Sequence, residues 1–179
     1  KKTVAELCVE AVRIAGDADN VKVLTFPGGS LTDSHLFKGV VVNKDFAIQM
    51  VNPPKNTHAL LLMTGLEVVK EQHTPQVQVS DMKTYDNIVS RSSVALSENA
   101  RKIASLLPDG GVLFCRDNMA DSVLAFLHKH NIAVVKRVQE STMRGLSSAL
   151  GLSIAQTPED LEIAASCKLL RNKHNDVHY

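Results

Sequence analysis

The sequence predicts an α/β domain in which a β-sheet or sandwich core is flanked by helices. Residues 59–63 form a short apolar run with the length of a buried strand. Residues 112–150 then alternate twice between a strand pattern and a helix pattern, which predicts parallel strands joined by right-handed crossovers. A chain of 179 residues with 44% hydrophobic content can bury one good core, so we expect one main domain.

The first 43 residues predict a helix followed by two strands. Residues 3–15 place apolar side chains at helical spacing, and Gly16 is expected to end this helix. Residues 21–26 and 39–43 are rich in valine and predict strands. Between them, Gly28 and Gly29 predict a tight turn, because glycine adopts positive φ at little cost.

Residues 46–51 have no clean period of either kind. Pro53 and Pro54 follow and forbid a helix through them, so the path is extended or turning. The simple interpretation is a loop folded over the core. A loop is also predicted after the buried strand, at residues 64–67.

A long helix is predicted between the buried strand and the two strand–helix units. Residues 76–79 first alternate valine and glutamine, which is typical of a strand with one solvated face. Ser80 or Asp81 then caps a helix that runs to about Leu107. Because residues 90–93 are polar all round, we expect this helix to project out of the core there.

The two strand–helix units come next. Residues 112–115 and 133–138 predict strands, and helices are expected from Asp117 or Asn118 to His130 and from Ser141 to Leu150. In the first of these helices one face is apolar and should pack on the sheet: Met119, Val123, Phe126 and Leu127. The opposite face is polar with both charge signs: Asn118, Asp121, Ser122, Ala125, His128 and Lys129.

Composition excludes several classes of function. The net charge is +1 and aromatic residues make up 4%, which argues against nucleic acid as a partner. The longest apolar run is too short to span a bilayer, so we expect no membrane partner. Three widely spaced cysteines without a Cys-x-x-Cys pair suit reduced thiols, and the predicted location is cytoplasmic.

No catalytic or metal-binding constellation stands out. His174 and His178 have metal-ligand spacing, but they lie in a polar chain end that we interpret as a solvated tail. Cys115 lies between a strand and a helix, where a thiol can be activated, although a buried apolar role is the simpler interpretation. There is no Gly-x-Ser-x-Gly and no phosphate-binding Gly-Lys-Thr. We therefore expect no catalytic residue, no metal and no cofactor in this chain.

The segment PGGSLTDSHLFKGVVVNKD, residues 27–45, resembles the segment that leads into the apical domain of group II chaperonins, the CCT/TRiC and thermosome family. The strand pattern at 133–138 and the Glu-Ser-Thr-Met at 140–143 match the same family. The resemblance covers essentially the whole chain. One departure is Ser122, which stands where a leucine is usual.

This resemblance implies a chaperonin (GroEL-like) apical domain with a helical protrusion, cut from a larger protein. The implied domains are the end of an intermediate-domain helix with its linker (1–24), the apical substrate-binding domain (25–170, with the protrusion at about 44–57 and 81–97) and a return segment (171–179).

The implied function is to capture unfolded polypeptides and help them fold, with other chaperonin subunits in a double ring as further partners. The polar helix face, Asn118, Asp121, Ser122, Ala125, His128 and Lys129, would read client polypeptides. The loop after the buried strand would be the second client-contacting element: Thr64, Leu66, Glu67 and Val69. The first arm of a built-in lid would contain Phe46, Ile48 and Met50.

The family hydrolyses ATP in an equatorial domain with Gly-Asp-Gly-Thr type loops, and that tetrapeptide does not occur in this sequence. The resemblance therefore implies no ATPase activity in this chain, with ATP and Mg in the parent chaperonin. Two alternatives stay open. One is a chaperonin-like domain reused as a non-folding scaffold or adaptor, and the other is a small α/β enzyme, which a hyperreactive Cys115 would support.

Overall fold

The chain divides into two compact units, Lys1–Gly39 and Val40–Tyr179. The computed structural model describes residues 3–25, 27–28, 30–48, 50, 56–67, 82–161 and 165–168, and it describes Asn56 and residues 82–92 by their backbone alone. Within these described residues, no helix combines the length and the apolar character needed to cross a membrane.

The first unit contains helix α1, Val4–Ala15. Thr3 and Glu6 form a capping box, in which the Glu6 carboxylate accepts from the Thr3 amide at 2.9 Å and the Thr3 hydroxyl accepts from the Glu6 amide at 3.4 Å. Gly16 ends the helix with φ +77°, in the left-handed region. The predicted first helix is thus confirmed.

The two strands predicted in the first 43 residues are wrong. Residues 21–25 are irregular and mostly exposed, with Val23 79% exposed. Valine favours strands only where a partner strand and a packing surface are present. Residues 40–43 form one bridge, at Val42, whose side chain is buried beside the sheet of the second unit. The turn is seen at Gly28, with φ +99°, whereas Gly29 lies outside the described residues.

The second unit is an α/β structure built on a four-stranded mixed sheet, ordered β3-β2-β1-β4. Its elements are β1 (Asn56–Leu62), α2 (Met82–Leu106), β2 (Gly111–Cys115), α3 (Asp121–Lys129), β3 (Ile132–Val135), α4 (Glu140–Leu150) and β4 (Ala165–Lys168). A single 3-10 turn, Pro158–Asp160, precedes β4. The predicted α/β class, the buried strand and the long helix are therefore confirmed.

The strand pairing explains the sequence pattern. Strands β1, β2 and β3 are parallel, with Leu60 opposite Leu113 and Leu113 opposite Val134. The predicted parallel strand–helix units are confirmed. The sequence did not predict β4, which pairs antiparallel with β1 and places Cys167 opposite Thr57.

Both faces of the sheet are covered, and alternate residues belong to different cores. One face packs with α2 and α3 and includes Leu60, Leu62, Leu113, Cys115, Ile132 and Val134. The other packs with α4 and with Val42, Phe46 and Met50, and it includes Ala59, Leu61, Val112, Phe114, Ala133 and Val135. Burial on both sides is the reason why these strands are continuous apolar runs.

Several predicted boundaries need correction. Strand β3 ends at Val135 instead of residue 138, because Arg137 has φ +57° and turns the chain out of the sheet. Helix α4 has Gln139 as its N-cap, so Ser141 lies inside the helix. Gly151 ends α4 in the left-handed conformation, as predicted. The predicted strand at 76–79 and the predicted cap of the long helix lie outside the described residues.

Candidate functional site

Two connections meet at the carboxyl edge of the parallel strands. The loop after β1 pairs with the segment between β2 and α3 through a bridge from Leu66 to Met119. The Leu66 amide donates to the Asn118 carbonyl at 3.1 Å, and the Ala120 amide donates to the Leu66 carbonyl at 2.7 Å. The side chains add a third bond, in which the Asn118 amide donates to the Glu67 carboxylate at 2.8 Å. We call residues 64–67 and 117–120 together the edge clamp.

Gly65 makes this pairing possible. A Cβ atom on Gly65 would lie 2.5 Å from the Asn118 carbonyl oxygen and 3.1 Å from the Asp117 Cβ. Both distances are shorter than a normal contact, and the first involves backbone that cannot rotate away. The edge clamp therefore requires glycine here for close approach of two backbone segments.

The loop is also anchored on its other side. The Thr64 hydroxyl donates to the Gln156 carbonyl, and the Met63 amide donates to the Ala155 carbonyl at 2.8 Å. Beneath it, the Cys115 thiol donates to the Thr64 carbonyl at 3.3 Å. The position of the loop is thus fixed by hydrogen bonds on both sides.

Helix α3 presents the exposed face that the sequence predicts. Asp121, Ser122, Ala125, His128 and Lys129 are all exposed, while Val123 and Leu127 are buried against the sheet. We call these five exposed residues, for which the family resemblance implies contact with client polypeptides, the client face.

The predicted start of this helix needs correction. Asn118 and Met119 precede α3, because residues 117–120 belong to the edge clamp and the helix begins at Asp121 with Ala120 as N-cap. The predicted packing is confirmed for Met119, which is buried, and for Phe126, which is half-buried and packs against the same core. Leu124 was not predicted on the apolar face, yet it is 3% exposed, and its spacing from Leu127 was a usable signal.

The loop residues separate into two groups. Thr64 and Glu67 are exposed, so their side chains can meet a ligand. Leu66 is 2% exposed and belongs to the core with α2 and α3, so its prediction as a contact residue is wrong. The backbone pairing of Leu66 with Met119 keeps the Leu66 side chain in the core. Val69 lies outside the described residues.

The segment predicted as the first lid arm packs on the sheet. Phe46 and Met50 are buried, Ile48 is half-buried, and the Ala47 amide donates to the Val134 carbonyl at 2.7 Å. The burial of Phe46 and Met50 agrees with the simple interpretation of a loop folded over the core, because both side chains cover the face of the sheet that includes Ala133 and Val135. They therefore offer little surface to a ligand.

Cys115 has the properties of a core residue. Burial raises the pKa of its thiol from the usual 9.0 to about 11, so almost none of it is thiolate at neutral pH. This contradicts a nucleophilic role. Among the described residues, no three His, Cys, Asp or Glu side chains form a group that could hold a metal ion. His174 and His178 lie outside the described residues.

The fold is that of a group II chaperonin subunit. The structure matches the open-state monomer of a group II chaperonin from Methanococcoides burtonii with a TM-score of 0.65 and 25% identity, covering 98% of this chain and 41% of that one. The sequence model of the TCP-1/cpn60 chaperonin family matches residues 1–176. The chain belongs to the TCP-1/cpn60 chaperonin family, which confirms the resemblance.

Curated relatives agree with this assignment. The chain is 30% identical over 167 residues to a thermosome subunit of Methanopyrus kandleri, covering 88% of this chain and 30% of that protein. It is 26% identical over 166 residues to the T-complex protein 1 subunit gamma of Encephalitozoon cuniculi, covering 90% of this chain and 32% of that protein. The chain thus spans about a third of the length of these relatives.

Proposed function

We propose that this chain is the apical, substrate-binding domain of a group II chaperonin subunit and that it captures unfolded polypeptides. One observation supports this most directly. The edge clamp ties the loop after β1 to the start of α3, so the two elements that the family resemblance implies for client contact form one continuous surface.

We restrict the proposed contact residues to those with exposed side chains: Thr64, Glu67, Asp121, Ser122, Ala125, His128 and Lys129. This surface mixes both charge signs with hydroxyl groups, so it suits polar and charged segments of a client. Binding by one isolated domain should be weak, because a ring gains avidity by presenting several such surfaces together.

The remaining functions belong to a parent protein in this proposal. That protein would bind ATP and Mg through a separate domain, assemble with other subunits into a double ring, and act in the cytoplasm. The lid protrusion, at about 44–57 and 81–97, stays part of this proposal; within it Phe46 and Met50 are buried, and residues 93–95 of α2 are exposed.

Site-specific photocrosslinking tests the proposed client face. A benzophenone amino acid replaces Ala125 on α3 in one variant and Ala149 on α4 in a matched control, since both alanines are exposed helical residues. Each variant is irradiated with an unfolded protein such as reduced, carboxymethylated α-lactalbumin. We expect adducts at position 125 and few at position 149. Equal labelling at both positions, or none at 125, would refute the proposed face.

A further inference from the structure

One lysine of α2 contacts the turn that precedes β4. Lys102 is half-buried, and its ammonium group donates to the Glu159 carbonyl at 2.6 Å. Glu159 lies in the 3-10 turn Pro158–Asp160. Carbonyl groups at the end of a helical turn lack partners within the turn, so a cationic donor is favourable there. Lys102 therefore joins two elements that are 57 positions apart in the sequence.

The turn itself is closed by one carboxylate. The Asp160 side chain accepts from the Thr157 hydroxyl at 2.8 Å and from the Thr157 amide at 3.0 Å. These two hydrogen bonds hold the pKa of the Asp160 carboxyl below its usual value, and the positive charge of Lys102 lowers this pKa further. Lys102 thus bonds to the backbone of the turn and also attracts the carboxylate that closes it.

The same two elements also share a core. Ile103, which follows Lys102 on α2, is fully buried, and Leu161, which follows the turn, is 5% exposed. Both side chains belong to the core cluster that α2 and α3 cover. Movement of the turn would therefore disturb α2 both through this core and through the Lys102 bond, and the bond is the contribution that depends on charge.

We propose that the bond from Lys102 to the Glu159 carbonyl is a latch that makes the end of α2 and residues 157–161 open together. A hydrogen bond with a charged donor is roughly twice as strong as one between neutral groups, so loss of the ammonium group should uncouple the two elements. Its meaning for a chaperonin rests on the proposed function, in which α2 includes the second arm of the lid and the chain after β4 is the return segment. The latch would then transmit movement between them.

Amide hydrogen exchange measured by NMR tests the latch. Lys102→Met removes the ammonium group and keeps an unbranched side chain of similar helix propensity. We expect the amides of Thr157 and Asp160, both bonded within the turn, to exchange about five- to thirtyfold faster, as for the loss of one charge-assisted hydrogen bond. The Ala155 amide, which donates to the Leu61 carbonyl outside the turn, should keep its rate.

Two further variants serve as controls. Lys102→Arg should retain most of the protection, because a guanidinium group can donate to the same carbonyl. Arg101→Met neutralises the exposed cation next to Lys102 on α2 and should leave the turn unchanged. Unaltered exchange at Thr157 and Asp160 in Lys102→Met would refute the latch. Equal acceleration at Ala155 would also refute it, since the bond would then stabilise the whole fold.

A double-mutant cycle tests whether the two elements open together. Thr157→Val removes the hydroxyl that bonds to Asp160 and so loosens the turn from its other side. With Lys102 present, this change should also accelerate exchange in the last turn of α2, residues 103–106. With Lys102→Met already in place, it should have no further effect on α2. Additive effects of the two replacements would show that the elements open independently.

These outcomes are independent of those that test the proposed function. If the cycle shows coupling while position 125 gives no adduct with unfolded protein, the latch stands and the proposed client face fails. If position 125 gives adducts while the cycle is additive, the client face stands and the latch is refuted.

Discussion

Replacing Gly65 with alanine tests whether the edge clamp holds the candidate site in place. The added Cβ would lie 2.5 Å from the Asn118 carbonyl oxygen, so the two backbones must move apart by several tenths of an ångström. That oxygen accepts from the Leu66 amide at 3.1 Å, and the same shift would lengthen this bond. Overpacking costs about 1–3 kcal/mol, and a weakened hydrogen bond adds about 0.5–1.5 kcal/mol.

We therefore expect Gly65→Ala to lower the free energy of unfolding by about 2–4 kcal/mol, measured by urea denaturation. In thermal unfolding, this corresponds to a fall in Tm of about 5–15 °C for a unit of this size. The loss of the clamp should also reduce crosslinking from position 125, because the start of α3 is no longer fixed against the loop.

Gly145→Ala is the matched control. Gly145 lies inside α4, where the nearest atom to an added Cβ is a Val40 methyl carbon at 3.9 Å, an ordinary contact. Alanine in a helix interior is more favourable than glycine by about 0.5–1 kcal/mol, so this variant should be more stable than the parent. Gly65→Ala with a loss below about 0.5 kcal/mol, the range of an ordinary surface change, would refute the close approach.

Three further predictions concern the core, the thiols and a surface ion pair. Leu124→Ala should lower the free energy of unfolding by about 2–5 kcal/mol, because Leu124 is 3% exposed, and a loss below about 1 kcal/mol in urea denaturation would contradict its placement. In the folded protein at pH 8, a thiol reagent should label exposed Cys8 quickly and leave buried Cys115 unmodified. The free energy of unfolding should also fall as pH rises from about 9 to about 11. In this range the Cys115 thiol ionises in the unfolded chain but stays protonated in the folded protein, where burial raises its pKa to about 11. Glu140→Gln removes an exposed ion pair with Arg144 at 2.7 Å, so the variant should be slightly less stable than the parent at low salt and indistinguishable from it at about 1 M salt, as measured by urea denaturation.

The central strands were predictable because their burial leaves a strong local signal. Residues 59–62 of β1 and 112–115 of β2 are covered on both faces and are all apolar, so the runs at 59–63 and 112–115 identify these strands. Helices α1 and α4 were predictable for a similar reason, since their apolar spacing and the terminal glycines Gly16 and Gly151 are local features.

Strand pairing was less predictable because it depends on distant residues. β4 alternates half-buried and exposed residues over four positions, and it is a strand because β1 lies beside it. Residues 21–25 have more valine, yet they are irregular because no partner orders them in the described structure. The edge clamp shows the same limit, since Leu66 and Met119 pair across more than fifty positions of sequence. No local pattern could identify Gly65 as the residue that permits their approach.

The candidate site has residues that can be substituted at little cost in stability and residues that cannot. The client face consists of exposed side chains on α3, whose replacement usually costs less than about 0.5 kcal/mol. Gly65 and Leu66 are different. A Cβ added to Gly65 would lie 2.5 Å from the Asn118 carbonyl oxygen, and the Leu66 side chain is 2% exposed. Because the clamp fixes where α3 begins, the position of the face does not depend on the side chains that it displays. If the proposed function is correct, substitutions at exposed residues such as Asp121 and Lys129 should change which client segments bind, while the backbone that presents these residues stays constant.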